Sequence, residues 1–125
     1  MSRPIAVPLI LAACVVPAAS AVRHASASDR FDGTWSVEII TDLGTCDRAY
    51  RYPVRVDQGR ARIVGTAFAV TGGVTAKGAV KGAITNGAAT AQIVGRLGAD
   101  GFGRGTWTAT GALDCRGHWN AERRG

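Results

Sequence analysis

Few side chains in this sequence suit acid–base or nucleophilic chemistry. The 125 residues include only two histidines, His24 and His118, and histidine is the side chain that most readily exchanges a proton near neutral pH. Ser36 is the one serine beyond residue 28, but no nucleophile-elbow motif surrounds it and no triad spacing joins it to His118. We predict no catalytic residue and a protein that is not an enzyme, with an enzyme of unknown type as the alternative.

Metal and cofactor chemistry finds equally little support. His118 has no clustered carboxylate in the sequence with which to share a metal ion. The nine acidic residues are dispersed rather than paired. Gly72-Gly73 and the other glycines lack the strand-to-helix context of a phosphate loop. We therefore expect no metal site and no cofactor.

The N-terminus has the features of an export signal rather than of a transmembrane span. Arg3 precedes an almost uninterrupted apolar run over residues 4–19. Two Ala-x-Ala cleavage motifs follow, ending at Ala21 and Ala27. We predict a signal peptide over residues 1–21, or cleavage as late as residue 27, and a protein that is periplasmic or secreted.

A second interpretation of the leader gives a membrane-anchored lipoprotein. Residues 11–14, Leu-Ala-Ala-Cys, resemble the bacterial lipobox, in which the cysteine is lipidated and becomes the first residue of the mature protein. The alternative localisation is therefore a lipoprotein anchored at Cys14. Beyond the leader we expect a flexible tail over residues 22–30 and a single domain over 31–125, because no second apolar run approaches the roughly 20 residues of a transmembrane span.

Two cysteines remain beyond the leader, Cys46 and Cys115. An even number of cysteines in an exported protein favours a disulfide. Two buried free thiols are the alternative. A covalent link suits a domain of this size, whose hydrophobic core is modest.

The positive charge of the chain limits the classes of partner that it can bind but identifies no single partner. The formal net charge of +6 falls by one when Arg3 leaves with the leader. The cations are scattered singly and in pairs, unlike a nucleic-acid-binding surface. One interpretation is a solvated basic surface; the other is weak attraction to an anionic envelope component, such as a lipid headgroup or a polysaccharide. We expect no nucleic-acid partner.

Beyond the tail, short alternating segments are separated by turn residues at intervals of about 8 to 12, the pattern of an all-β domain. Trp35, Val37 and Ile39 alternate with polar residues, which gives the first segment an inner and an outer face. Asn86-Gly87 is the strongest hairpin signal. The predicted strands are 33–41, 50–57, 60–64, 67–74, 79–85, 88–97, 102–110 and 115–123.

Eight strands in a meander pair most simply with their sequence neighbours and can close on themselves. A bridge between Cys46 and Cys115 would hold the first strand beside the eighth, and closure would remove the exposed strand edges. We predict a small antiparallel up-and-down barrel, with an open β-sandwich as the alternative.

Gly-x-Trp triplets are the most regular local pattern, at residues 33–35, 105–107 and 117–119. Because residues i and i+2 share a face of a strand, each glycine is expected to leave room beside its own indole. The aromatic rings either fill the core or line a pocket for a flat or apolar ligand. On the second interpretation the candidate ligand-binding residues are Trp35, Tyr50, Tyr52, Trp107 and Trp119.

Two resemblances follow from these motifs. The Gly-x-Trp of the first strand, the eight-strand order and a basic residue near the chain end, Arg123 or Arg124, resemble the calycin pattern of lipocalins and of small periplasmic protease inhibitors. Residues 31–35, 46–54 and 119–123 are also similar to a group of small exported proteins of Gram-negative bacteria. The resemblance implies an intact barrel domain and assigns no catalytic residue.

The function that we expect is binding without catalysis, of a small apolar or aromatic ligand or of an envelope component. The alternative is a protein–protein interaction or protease-inhibitor-like protein, in which the loop at residues 42–49 or the tail before Phe31 docks into a partner's cleft. The position of the aromatic rings distinguishes the two. Rings that fill the interior leave only surface recognition, whereas rings around an open space with convergent polar groups favour ligand binding.

Overall fold

The computed structural model describes residues 29–111 and 114–125 of the chain. Those residues form a closed barrel of eight antiparallel strands in sequence order, in which β8 pairs with β1. The predicted up-and-down barrel is therefore confirmed over the open sandwich. The strands are β1 (Gly33–Leu43), β2 (Ala49–Asp57), β3 (Arg60–Ile63), β4 (Ala69–Val74), β5 (Ala79–Asn86), β6 (Ala89–Leu97), β7 (Phe102–Gly111) and β8 (Cys115–Arg123).

The N-terminal predictions concern a part of the chain that the structure does not describe. The signal peptide over residues 1–21, the later cleavage motif, the lipobox cysteine Cys14 and most of the tail over residues 22–30 lie outside the described residues. Those features stay predictions.

The turns lie where the sequence indicates, with one shift. Asn86 remains in β5 and pairs with Ala89 of β6, so the two-residue hairpin loop is Gly87-Ala88 rather than Asn86-Gly87. Gly87 supplies the positive φ of 62° that this loop needs. A glycine beside asparagine thus marks the hairpin correctly, while the register of the two strands decides which residues form the loop.

Alternation places one face of each strand inside the barrel, as predicted for β1. Trp35 and Val56 face inward and are only 1% and 2% exposed. The alternate residues of the two strands point outward, and among them the Arg51 guanidinium lies 2.8 Å from the Glu38 carboxylate. The period of two in the sequence therefore separates the core from the solvated surface.

Two of the tryptophans lie against glycine backbone on the neighbouring strand. Gly105 is the register partner of Trp119, and Gly117 is the partner of Trp107. A Cβ atom on Gly105 would lie 2.6 Å from the Trp119 ring, and one on Gly95 would lie 2.5 Å from it. The prediction that each glycine makes room for the indole of its own triplet is therefore wrong here: Gly105 and Gly117 make room for the indole across the strand pair.

Residues 29–32 cover one end of the barrel, and this range includes the last two residues of the predicted tail. Phe31 is 3% exposed, and its carbonyl accepts a hydrogen bond from the Trp35 indole at 2.9 Å. The Arg123 guanidinium lies 4.8 Å from the centre of the Trp35 ring. The Asp32 carboxylate accepts from two backbone amides of the β2–β3 turn, at 2.9 and 3.3 Å. Residues 29–32 therefore form a cap that is bonded both to the core and to the β2–β3 turn.

A disulfide fastens the opposite end. Cys46, in the β1–β2 loop, is bonded to Cys115, the first residue of β8, with their Cα atoms 6.1 Å apart. The predicted bridge is thus confirmed over two free thiols. Because the two cysteines are 69 residues apart in the sequence, the bond joins the beginning of the meander to its end.

Removing the disulfide should lower the free energy of unfolding by about 4 kcal/mol, because the bond restricts the unfolded chain over a long loop. Urea unfolding followed by tryptophan fluorescence, with and without reductant, measures the change. A Cys46→Ala/Cys115→Ala variant is the control, and its midpoint should not respond to reductant. Equal midpoints for the native protein under both conditions would contradict the stabilising role of the bond.

Gly105→Ala should lower the free energy of unfolding by about 3 kcal/mol, toward the upper end of the usual range for overpacking. The added methyl group would meet the Val94 carbonyl oxygen and the Trp119 ring. Thr106→Ala, on the exposed outer face of the same strand, is the control and should cost less than about 1 kcal/mol. Equal losses of unfolding free energy in the two variants would mean that the packing of the Trp119 indole does not require a glycine at residue 105.

Candidate ligand cavity

The interior of the barrel is filled unevenly. On the side of β6, β7 and β8, Trp107 and Trp119 occupy the space above Gly95, Gly105 and Gly117. On the side of β1 to β5, the inward side chains are mainly valine, isoleucine and alanine, and they leave a cavity of about 100 Å³. The empty space therefore lies where branched aliphatic side chains face the two indoles.

Four of the five predicted ligand-binding residues border this cavity. They are Trp35, Tyr52, Trp107 and Trp119, whereas Tyr50 lies outside the lining. The rings neither fill the interior nor surround a set of convergent polar groups, since no buried residue in the described chain is polar or charged. The aliphatic part of the wall was not among the ligand-binding residues predicted from the sequence, and it includes Val37, Ile39, Val54, Val70, Ile84 and Ile93.

The three tryptophans that border the cavity have indole N–H groups that are already hydrogen-bonded. Trp35, Trp107 and Trp119 donate to backbone carbonyl oxygens at 2.9, 3.1 and 3.2 Å. A buried N–H that has its acceptor has little to gain from a polar ligand. The rings therefore present their hydrocarbon surfaces to the cavity. The three acceptors, in the same order, are the carbonyl oxygens of Phe31, Ile40 and Val94.

The barrel wall has a gap between β3 and β4. β3 has four residues, and its ladder with β4 consists of a single pair, Arg60 with Gly73. Beyond that pair the cavity is bordered by the inward-facing Ile63 and also by the outward-facing Arg62 and Thr71. The cavity is only partly enclosed, and this stretch of the wall lacks a strand ladder. The cavity therefore opens sideways to the outer surface between these two strands.

Aromatic rings cluster at the uncapped end of the barrel. The Tyr50 ring stacks on Tyr52 with centroids 5.9 Å apart, and Phe68 meets Tyr52 edge-on at 6.2 Å. The Tyr50 hydroxyl accepts a hydrogen bond from the Asp47 amide at 3.2 Å. Partial burial raises the pKa of the Tyr50 phenol above its ordinary value of 10.0. Phe68 was missed in the sequence, where it stands alone at the start of a predicted strand.

The serine and histidine considered for catalysis lie apart on the outer surface. The Ser36 hydroxyl accepts a hydrogen bond from Arg51 at 2.9 Å. His118 Nδ1 lies 2.8 Å from the Asp42 carboxylate, a partner that the sequence did not reveal. His118 stands opposite Ile40 in β1, which is about 13 Å along the strand from Ser36 at the usual rise per residue. The three side chains therefore do not form a triad.

Residues 29–111 and 114–125 contain neither a metal-binding cluster nor a membrane-spanning helix. No group of three His, Cys, Asp or Glu side chains there is arranged to bind one metal ion. No helix in the same part of the chain has the length and apolar character needed to cross a membrane.

Comparisons of the chain with protein-family models, with curated proteins and with solved structures found no match. The geometry of the barrel is therefore the basis on which a function is assigned.

The raised pKa of Tyr50 gives a measurable dependence on pH. The folded protein keeps this phenol neutral to a higher pH than the unfolded chain does, so the free energy of unfolding should fall as the pH rises past 10.0. Urea unfolding below and above that pH should show a smaller fall in Tyr50→Phe, which has no phenol at this position. An absorbance titration of tyrosinate checks the assignment, because the signal that Tyr50→Phe removes should appear above pH 10.0. Identical pH profiles for the two proteins would contradict the shift.

Proposed function

We propose that this protein is an exported, non-catalytic barrel that binds a small apolar or aromatic ligand in its interior. The observation that carries the proposal is the cavity on the aliphatic side of the barrel, which is lined by hydrocarbon and opens to the surface. Atoms that line an empty space lose the van der Waals contacts that a filled core provides. A ligand that fills the cavity therefore gains those contacts and removes apolar surface from water.

The volume of the cavity limits the ligand. About 100 Å³ is less than the roughly 150 Å³ of an engineered apolar cavity that binds benzene or xenon. The enclosed part thus suits a short alkyl segment or part of one small ring. A longer molecule can extend outward through the gap between β3 and β4. Each methylene group that enters contributes about 0.8 kcal/mol.

Export and a calycin-like relationship are part of the proposal and have separate support. A disulfide is typical of a protein that folds in an oxidising compartment. Arg123 lies over the ring of Trp35, whereas Arg124 pairs with Glu122 at 3.4 Å. The two elements of the calycin pattern, the first-strand tryptophan and a basic residue near the chain end, are therefore in contact.

Binding of toluene and octan-1-ol to the purified protein tests the proposal. Calorimetry should give saturable binding, and the thermal unfolding midpoint should rise with ligand concentration, because the ligand binds only the folded state. Ile84→Trp should abolish binding, since residue 84 points into the cavity between Val70 and Ala91. Ile84→Phe occupies less of the cavity and replaces the tryptophan variant if that variant does not fold.

Thr108→Trp is the matched control. It adds the same indole on the exposed outer face of β7, away from the lining of the cavity, and it should bind both ligands as the native protein does. Absence of binding to the native protein, or equal loss in the control and in Ile84→Trp, would overturn the proposal.

A further inference from the structure

Two cations stand at the lateral opening of the cavity. Arg62 lies on the outer face of β3, and Lys81 lies on the outer face of β5, beyond β4. Both border the cavity, as does Thr71 of β4. The lining is nearly all hydrocarbon even here, so the charged ends of Arg62 and Lys81 lie beyond it, at the surface.

The strands from β3 to β6 carry charge of one sign, although Asp57 at the end of β2 lies 4.0 Å from Arg62. Between residues 58 and 99, the stretch that contains β3 to β6, the sequence has five cations and no carboxylate. The cations are Arg60, Arg62, Lys77, Lys81 and Arg96. A wall with cations and no carboxylates creates a positive potential that attracts anions to the gap.

The two entrance cations are only weakly engaged within the described part of the chain. Arg62 is 67% exposed and lies 4.0 Å from Asp57, a carboxylate that is closer to Arg55, at 3.2 Å. Lys81 has no carboxylate within 4.0 Å among the same residues. An exposed ion pair of such length contributes little. Both side chains can therefore turn toward a charged group that approaches the opening.

We propose that the gap between β3 and β4 is the entrance to the cavity, and that the ligand is a free single-chain amphiphile with an anionic head. Its alkyl chain occupies the apolar cavity, and its head stays at the surface between Arg62 and Lys81. The proposal rests on the proposed function and names the ligand class for the same cavity. The arrangement is favourable because the anion keeps part of its hydration, so that it gains two cationic neighbours without the full desolvation of a buried charge.

The cavity volume separates this ligand from a bilayer lipid. About 100 Å³ has room for part of one narrow alkyl chain and not for the two acyl chains of a phospholipid. The pair of Arg60 with Gly73 bounds the mouth of the cavity at one end. A monomeric amphiphile from solution is therefore the ligand to which the geometry points.

Octanoate and octan-1-ol test the proposal, because they have chains of equal length and differ in the charge of the head. Calorimetry at low ionic strength measures both dissociation constants for the native protein, Arg62→Gln/Lys81→Gln and Arg104→Gln/Arg116→Gln. The first variant should weaken octanoate binding about tenfold and change octanol binding by less than about twofold. The second variant removes the same charge from exposed positions on β7 and β8 and should change neither. Added salt should reduce the effect of the entrance variant.

Each other outcome has a defined meaning. If octanol and octanoate both bind the native protein and the entrance variant weakens neither, the entrance is overturned while the proposed function stands. If neither ligand binds, both proposals fail. If the entrance variant loses only co-sedimentation with anionic phospholipid vesicles, the cations serve a membrane surface and the amphiphile is overturned. Should the double variant not fold, Lys81→Gln alone should weaken octanoate binding about threefold.

Discussion

Trp119 lies against Gly95, Gly103 and Gly105, three inward positions on β6 and β7 that carry no side chain. The interior of an eight-stranded barrel is just wide enough for side chains to fill, so an indole enters only where neighbouring strands leave space. Trp107 meets the same condition at Gly117 of β8. Because these glycines all lie on β6 to β8, the two rings pack to that side. The opposite strands project branched side chains that are too short to reach across, and the cavity is the result.

Residues of β8, on the same side of the barrel as the two indoles, also hold both ends of the barrel together. Every inward position of β8 takes part: Cys115 forms the disulfide, Gly117 and Trp119 form the glycine–indole contacts, Ala121 is buried, and Arg123 covers Trp35. β3 lies on the other side and has only four residues and a single pair with β4. Local stability follows the density of buried contacts. The barrel therefore combines a firmly packed half with a thinner wall, and the opening lies in the thinner wall.

Features that depend on local sequence were predictable, and those that depend on register were not. Alternation and turn residues were sufficient to locate eight strands, and an even cysteine count beyond the predicted leader was sufficient for the disulfide. The partner of each glycine depends instead on how β7 aligns with β8, which no local pattern determines. The contact of His118 with Asp42 joins residues 76 apart in the sequence. The gap between β3 and β4 is harder still to predict, because the sequence of a strand without a hydrogen-bonded neighbour resembles that of a strand with one.

Strand edges at the gap explain why β3 carries charge there, though not why the charges from β3 to β6 are all positive. Beyond Arg60 and Gly73, the facing edges of β3 and β4 are unpaired in the described chain, and such edges invite the addition of another strand. Short strands and charged side chains oppose that addition, and Arg62 serves this purpose on β3. A carboxylate would protect an edge by the same means, yet the sequence has none between residues 58 and 99. A single sign of charge over β3 to β6 therefore needs a second reason, and an anionic group held at the entrance of an apolar cavity supplies one.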